Sequence, residues 1–270
     1  MEGQTGRPGT CLPTVVLPTY NERENLPSLV RAILALPEPV SVLVVDDNSP
    51  DGTGLIADGL ASECERVSVI HRRGKLGLGT AYVAGFRALL SSGADLVLTM
   101  DADFSHHPRY IPAMLDRSRQ FDVVIGSRYV PGGGTRSWGL HRQLLSRTAN
   151  AVARTALGLQ PHDCTAGFRC YHRRVLEAIP LGAIVAEGYS FLVEMLYRIQ
   201  ASGYRIGEVP IIFEDRRDGT SKISRMEILK AMRTVARLGV ERAGLAPAGA
   251  PGKRGRAAPG AGGRPGPPEG

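Results

Sequence analysis

The run Leu96-Val97-Leu98-Thr99-Met100-Asp101-Ala102-Asp103 changes character abruptly at its end. Its first five residues are apolar or β-branched, as in a buried strand, and it stops on two carboxylates two residues apart. Side chains alternate faces along extended chain, so Asp101 and Asp103 share a face for as long as the strand continues through them. At the carboxyl end of a parallel strand such a pair faces the crevice where open α/β sheets bind ligands. Two anionic oxygens there suit a hard cation bridging a diphosphate. An Asp-x-Asp alone is commonly only a solvated turn. The weight of this one comes from three more sets of phosphate- or nucleotide-suited residues, each also at a strand end.

The flanking sequence repeats the same unit. Strand candidates over residues 14–17, 41–45, 67–70, 96–100 and 123–125 alternate with helical periods near 26–36, 54–64, 79–90 and 108–118. Strand and helix in alternation predict a doubly wound, mostly parallel sheet flanked by helices. Pro131-Gly132-Gly133-Gly134-Thr135 reads as a flexible connection, too glycine-rich for regular structure. Helices over 140–157 and 189–202 and a strand over 209–213 follow. The last helical period, 224–242, places Met226, Leu229, Met232, Val235/Ala236 and Val240 on one stripe, with Arg225, Lys230, Arg233, Arg237 and Arg242 mostly elsewhere. Such a helix either packs its stripe on the domain or rests on an anionic membrane. The divisions expected are a disordered start (1–10), one catalytic domain (11–222), the amphipathic helix (223–242) and a disordered Ala/Gly/Pro-rich basic tail (243–270).

Composition narrows the class. With 43% hydrophobic and 22% charged residues in 270, the chain has the make-up of a globular protein with a large core. Of the net +7, the tail from Ala243 carries +3 (Lys253, Arg254, Arg256 and Arg264 against Glu269), and its composition cannot bury a core. No nucleic-acid module accompanies that charge, so no nucleic-acid partner is expected. Cys11, Cys64, Cys164 and Cys170 show no metal spacing and read as reduced thiols of a cytosolic protein. No signal peptide is evident, and no apolar run approaches the roughly 20 residues that span a bilayer.

Five further segments bear on the chemistry. Val16-Leu17-Pro18-Thr19-Tyr20-Asn21-Glu22 ends the first strand: Pro18 is expected to stop the ladder, Asn21 or Asn25 to cap the next helix, and Tyr20 and Glu22 to stand at the crevice rim. Val45-Asp46-Asp47 ends the second strand. Adjacent buried acids repel and desolvate each other, so one of them is expected to gain its missing partner from a nucleoside. Lys75-Leu76-Gly77-Leu78-Gly79-Thr80 is a close backbone turn and not a dinucleotide fingerprint, because Tyr82 stands where the third glycine belongs. Gly126-Ser127-Arg128-Tyr129 and the later Asp215-Arg216-Arg217-Asp218-Gly219-Thr220-Ser221-Lys222 offer cations; Arg suits phosphate by its fork, Lys as a point charge.

The series VVLPTYNE, VVDDNSPDGT, DADFSHHP, GSRY and DRRDGTSK, with DCTAGFRCY (163–171) and EGYSF (187–191), resembles the dolichol-phosphate and polyprenol-phosphate mannose synthases, inverting family 2 glycosyltransferases of GT-A fold. The resemblance runs from about residue 15 to 222. It implies that Pro18, Tyr20, Glu22, Val45 and Asp47 contact the guanosine part of GDP-mannose. Asp101, Ala102 and Asp103 would hold nucleotide and a Mg²⁺ or Mn²⁺ ion, and Arg128, Arg216 and Lys222 would meet phosphates of donor or acceptor. Asp101, Asp103 and Arg128 would be the catalytic residues. Many relatives have Gln where Ser105 stands, so Ser105 is only a further candidate for the metal. The partners implied are GDP-mannose, a polyprenyl or dolichyl phosphate and the cytosolic face of a membrane, reached peripherally or through a separate anchoring subunit. The rival readings are a polyprenyl-phosphate glucosyltransferase using UDP-glucose, an aspartyl-phosphate phosphatase and a non-catalytic nucleotide-sugar-binding subunit. The phosphatase expects its DxD near the amino terminus, where this chain has none.

Overall fold

The computed structural model describes residues 12–186, 188–214 and 225–244. In chain order the elements are β1 (Thr14–Thr19), α1 (Leu26–Leu34), β2 (Ser41–Asp46), α2 (Thr53–Glu63), β3 (Val67–His71), α3 (Leu78–Ser92), β4 (Leu96–Thr99), α4 (Ile111–Ser118), β5 (Val123–Ser127), β6 (Gly134–Thr135) and α5 (Leu140–Leu157). There follow β7 (Arg169–His172), α6 (Arg173–Ala178), α7 (Tyr189–Ala201), β8 (Ile206–Pro210), β9 (Ile212–Phe213) and α8 (Arg225–Arg242).

Seven strands form one sheet in the order β3-β2-β1-β4-β7-β5-β8, parallel except for β7, which runs antiparallel to both neighbours. The period of two in the strands sorts the core into layers. Val15, Leu17, Val42, Val44 and Leu98 face α1, α2 and α4, whereas Val16, Leu43, Val45 and Val97 face α3 and α7. Each of these fully buried aliphatic side chains contributes about 1.5–3 kcal/mol relative to exposure. A third apolar cluster joins α5, α7 and α8 through Ala153, Leu157, Val193, Leu196 and Leu238. This is a mixed, mostly parallel sheet flanked by helices, as the alternation of strand and helix predicts.

Three local expectations are corrected. The ladder does not stop at Pro18, which pairs in register with Val45 while Thr19 pairs with Asp46. The Val16 carbonyl accepts from Met100 N on the β4 side (3.2 Å), and the Thr19 carbonyl from Asp47 N on the β2 side (3.0 Å). Residues alternate sides, so the missing N–H of Pro18 faces β4 beyond its last paired residue, where no ladder bond is lost. The glycine-rich 131–135 segment is not wholly irregular, because Gly134 and Thr135 pair with Ile212 and Phe213 as β6 and β9. The single strand expected over 209–213 is two, since the chain leaves β5 after Pro210 and joins β6.

Burial pushes the thiols of both Cys164 and Cys170 up to about 12. Against the ordinary thiol value of 9.0 this cuts the thiolate fraction about 10³-fold. Native alkylation read by mass spectrometry is therefore expected to modify the half-buried Cys64 long before Cys164 or Cys170. Equal labelling of the three would show that β7 and its preceding loop are not packed as described.

Candidate active site

The β-strand carboxyl ends gather the predicted residues, but not in the extended geometry expected of the Asp101 pair. β4 ends at Thr99, and Asp101-Ala102-Asp103 lies on a turn in which Phe104 takes a left-handed φ of 60°. Asp103 is buried and its Oδ1 accepts from Ser105 N at 3.0 Å, an Asx-type turn bond. Asp101 is more open, its side chain 24% exposed. Its Oδ1 accepts from the hydroxyl of Tyr82 (3.3 Å), and its Oδ2 lies 3.8 Å from His106 Nδ1. The residue that breaks the dinucleotide fingerprint is thus the one that reaches the first carboxylate.

The donor set at this turn fits a hard cation. Two carboxylates stand beside the hydroxyl of Ser105, which is buried and makes no hydrogen bond, as is His106 Nδ1. Among the described residues no cluster of three or more His, Cys, Asp or Glu side chains could enclose a metal by itself. That is the Mg²⁺-type arrangement, in which one or two carboxylates bind and substrate phosphates complete the shell.

The second strand end is self-sufficient, which corrects the expectation of an acid lacking a partner. Asp46 accepts from Thr19 Oγ1 (2.9 Å), Ser49 N (3.1 Å) and Ser49 Oγ (2.6 Å). Asp47 accepts from Arg72 (2.7 Å) and from Leu76 N (3.2 Å), fixing the turn that opens α3. Burial raises the Asp47 carboxyl even so, against the opposing pull of Arg72. Val45 has no exposed surface and packs among Val16, Ala81 and Phe86, so its side chain shapes the strand end. Tyr20 stands at the rim as expected, 36% exposed, with Lys75 Nζ 4.1 Å above its ring. Glu22 Oε2 accepts from Asn25 Nδ2 (3.0 Å). Asn25 occupies the N-cap of α1, yet its side chain makes no capping bond; nor does that of Asn21, which instead takes a left-handed φ of 60°.

Arg128 follows β5 but is not a surface cation. Its Nε and one terminal nitrogen donate to the two oxygens of Asp163, both at 2.7 Å, and its backbone N–H joins them at 3.0 Å. Both partners are buried. Burial alone would raise the Asp163 carboxyl, but the Arg128 charge and hydrogen bonds outweigh it and hold the group below its ordinary value. The same loop supplies Phe168, whose ring lies 5.4 Å from that of His106. Phe213 lies between His106 (5.1 Å) and Arg128 (5.5 Å). Asp101, beside His106, and Arg128, beside Phe213, are thus joined by one group of edge-on and tilted rings. Beyond Arg128 opens a cavity of about 530 Å³, lined in part by Tyr129, Arg147, Asn150, Arg154 and His162 and, among the described residues, by no acidic side chain. Arg216 and Lys222, expected at the phosphates, lie outside the described residues.

Sequence reasoning quoted the 163–171 motif without giving its residues roles. Asp163 clamps Arg128, and Arg169, fully buried, donates to the carbonyls of Ala166, Leu192 and Cys164 at 2.8–2.9 Å. No periodicity links residues 35 apart, so only the motif itself could have flagged Asp163. Further on, Phe191 packs where a Cβ on Gly79 would clash at 2.8 Å, which explains that glycine at the start of α3.

Comparison with known proteins places this arrangement. The fold superimposes on glucosyl-3-phosphoglycerate synthase of Mycobacterium tuberculosis, solved with Mn²⁺, UDP and glucosyl-3-phosphoglycerate (TM-score 0.60, 22% identity, 88% of this chain and 82% of that one). It superimposes equally on mannosyl-3-phosphoglycerate synthase of Rubrobacter xylanophilus (TM-score 0.61, 20% identity, 90% and 79%). Sequence similarity is much higher to the polyprenol monophosphomannose synthase of Mycolicibacterium smegmatis, 46% identical over 88% of this chain and 92% of that protein. The undecaprenyl-phosphate mannosyltransferase of Micrococcus luteus is 48% identical over 83% and 93%. Since residues 14–179, from β1 into α6, also match the family model described as glycosyl transferase family 2, the chain that builds this strand-end crevice belongs to that family.

Proposed function

We propose that this chain transfers mannose from GDP-mannose to a polyprenyl phosphate with inversion, giving a polyprenyl β-mannosyl phosphate at the cytosolic face of a membrane. One geometric observation carries the reading: a carboxylate turn and a cavity lined by Arg128, Arg147 and Arg154, with no acidic side chain among the described residues, are joined by one group of aromatic rings, His106, Phe168 and Phe213. A diphosphate donor suits the first and a monophosphate acceptor the second. The two mannosyltransferase relatives, aligned over most of this chain, supply the sugar and the acceptor class.

Tyr20 and Glu22 would border the nucleoside, with Lys75 over the Tyr20 ring adding charge beside it. Asp47 serves through the α3 turn it fixes. Asp101 and Asp103, with Ser105 beside them, would hold Mg²⁺ or Mn²⁺, whose charge stabilises the departing diphosphate. Tyr82 orients Asp101 by its hydrogen bond. The acceptor phosphate has a second pKa of about 6 and is largely dianionic at neutral pH, so it attacks without a general base. Its oxygen bonds to the anomeric carbon as the bond to the diphosphate oxygen breaks on the opposite face, through an oxocarbenium-like state. Arg128, held in place by Asp163, stabilises the two anionic substrates in proximity, with Arg216 and Lys222 proposed to help.

Purified protein assayed with polyprenyl phosphate is expected to transfer from GDP-mannose and to stop in excess EDTA. Faster turnover with UDP-glucose would replace the sugar in this reading. Nucleotide-sugar binding without transfer from either donor would reduce the chain to a binding subunit.

A further inference from the structure

The turn between β3 and α3 carries cations to the rim of the crevice, and they are not equivalent. Arg72 is committed to the protein: one terminal nitrogen donates to Asp47 Oδ1 (2.7 Å) and the other to Thr80 Oγ1 (2.6 Å). Lys75 is exposed and, among the described residues, makes no hydrogen bond or ion pair. Its ammonium nitrogen lies 4.1 Å from the centroid of the Tyr20 ring. A cation–π contact at an exposed site is weak, so the ammonium gives it up readily for a better acceptor.

The backbone around Lys75 is nevertheless fixed. Asp47 accepts from the Arg72 side chain through Oδ1 and from Leu76 N through Oδ2 (3.2 Å), so one carboxylate ties both ends of the turn that carries Lys75. Arg72 N also donates to the carbonyl of Asp46 at 2.8 Å. Tyr20 is anchored on either side as well. β1 stays in register with β2 through the preceding Thr19, and the following Asn21 N–H donates to Ser49 Oγ (3.1 Å). The contact is therefore built by the ends of three neighbouring strands, β1, β2 and β3, and only the flexible stem of Lys75 is left to move.

We propose that Lys75 selects the base of the donor, its ammonium donating to O6 and N7 of a guanine stacked against Tyr20. This deepens the reading above, on which it rests for a guanosine donor. Stacking on an aromatic ring accepts every base, so selection falls to a polar group beside the ring. Guanine presents two adjacent acceptors, O6 and N7, on one edge. Adenine sets an amino donor beside its N7, and uracil has no second acceptor beside O4. An ammonium matches the guanine edge best. Asp47, which the resemblance assigns to the guanosine, has both oxygens engaged in the turn and acts by aiming Lys75.

The test is calorimetric titration with GDP, with 7-deaza-GDP, in which a C–H replaces N7, and with UDP. One fixed Mn²⁺ concentration makes the diphosphate and metal contribute alike to all three. The native protein is expected to bind GDP about fivefold or more tightly than 7-deaza-GDP. Lys75→Met keeps an unbranched apolar side chain beside the ring and removes the charge. It is expected to bind GDP about tenfold more weakly and to hold GDP and 7-deaza-GDP equally. Arg73→Met, at the exposed neighbouring cation, is the control expected to bind all three nucleotides as the native protein does. Unchanged melting temperatures exclude unfolding. A Lys75→Met variant that keeps the native ratio between GDP and 7-deaza-GDP overturns the proposal. So does one that loses the same factor for all three nucleotides, because Lys75 would then meet the diphosphate. Native protein that binds UDP at least as tightly as GDP overturns the guanosine-donor reading itself, and the proposal with it. The two failures are told apart because the first leaves GDP preferred.

Discussion

Asp103→Asn is expected to lower mannosyl transfer about 10²–10³-fold, the usual loss when a preorganised charge-stabilising group is removed from a reaction centre. Asparagine keeps an oxygen where Asp103 Oδ1 accepts from Ser105 N, so the turn is expected to survive. What goes is the negative charge that would hold the cation. Asp101→Asn should act alike, because its carboxylate is the more open of the two. A metal titration read by calorimetry in the presence of GDP is the direct check, expected to show weakened metal binding in both variants. Wild-type turnover in either variant, or full activity of the native protein in excess EDTA, would refute the metal role.

Asp163→Ala is expected to cost about 3–5 kcal/mol of stability, because it leaves the Arg128 guanidinium buried without its counter-charge. For a chain of this size that is a fall in melting temperature on the order of 10 °C. The pair Arg128→Met/Asp163→Leu, which removes both charges, should recover much of that stability and none of the turnover. A double variant no more stable than Asp163→Ala would show that the loss came from repacking instead of the orphaned charge. The pH dependence follows from the direction of the shift. Asp163 sits below its ordinary value of 3.8, so its contribution is complete above that pH and is lost as the pH falls through the lower folded value. Thermal melts of the native protein between neutral and mildly acidic pH should therefore show no loss attributable to this pair.

The helices and parallel strands of the first half were legible because each is driven by its own short-range pattern. Leu26, Leu29, Val30 and Ile33 recur at helical spacing and all are buried in α1; β1 and β2 are unbroken apolar runs because helices cover both faces of the sheet. β7 was not legible. Its Arg169 faces the interior and its apolar neighbours are few, so it reads as a polar loop until three carbonyls from elsewhere in the chain are seen to satisfy the guanidinium. The division of 209–213 into β8 and β9 was hidden for a related reason, since which neighbour a strand pairs with is a long-range choice.

The candidate site divides in the same way. Sequence alone determined which residue types stand at the strand ends, namely Tyr20, Asp47, Asp101, Asp103 and Arg128, because a βα turn is built by adjacent residues and its composition is local. It also determined the family, through motifs kept in order along one chain. Only the tertiary structure decided what each side chain does: Asp47 is spent on Arg72 and Leu76, Val45 is sealed in the core, and Tyr82 reaches Asp101. Asp163 crosses 35 positions to clamp Arg128, and Leu229, Met232 and Val240 of the α8 stripe turn outward, while Val235 and Leu238 pack on the domain and Arg237 pairs with Glu194. The physical reason is that buried charges and apolar faces choose partners by proximity in the folded core, and proximity between distant segments is not written in any local period of the chain.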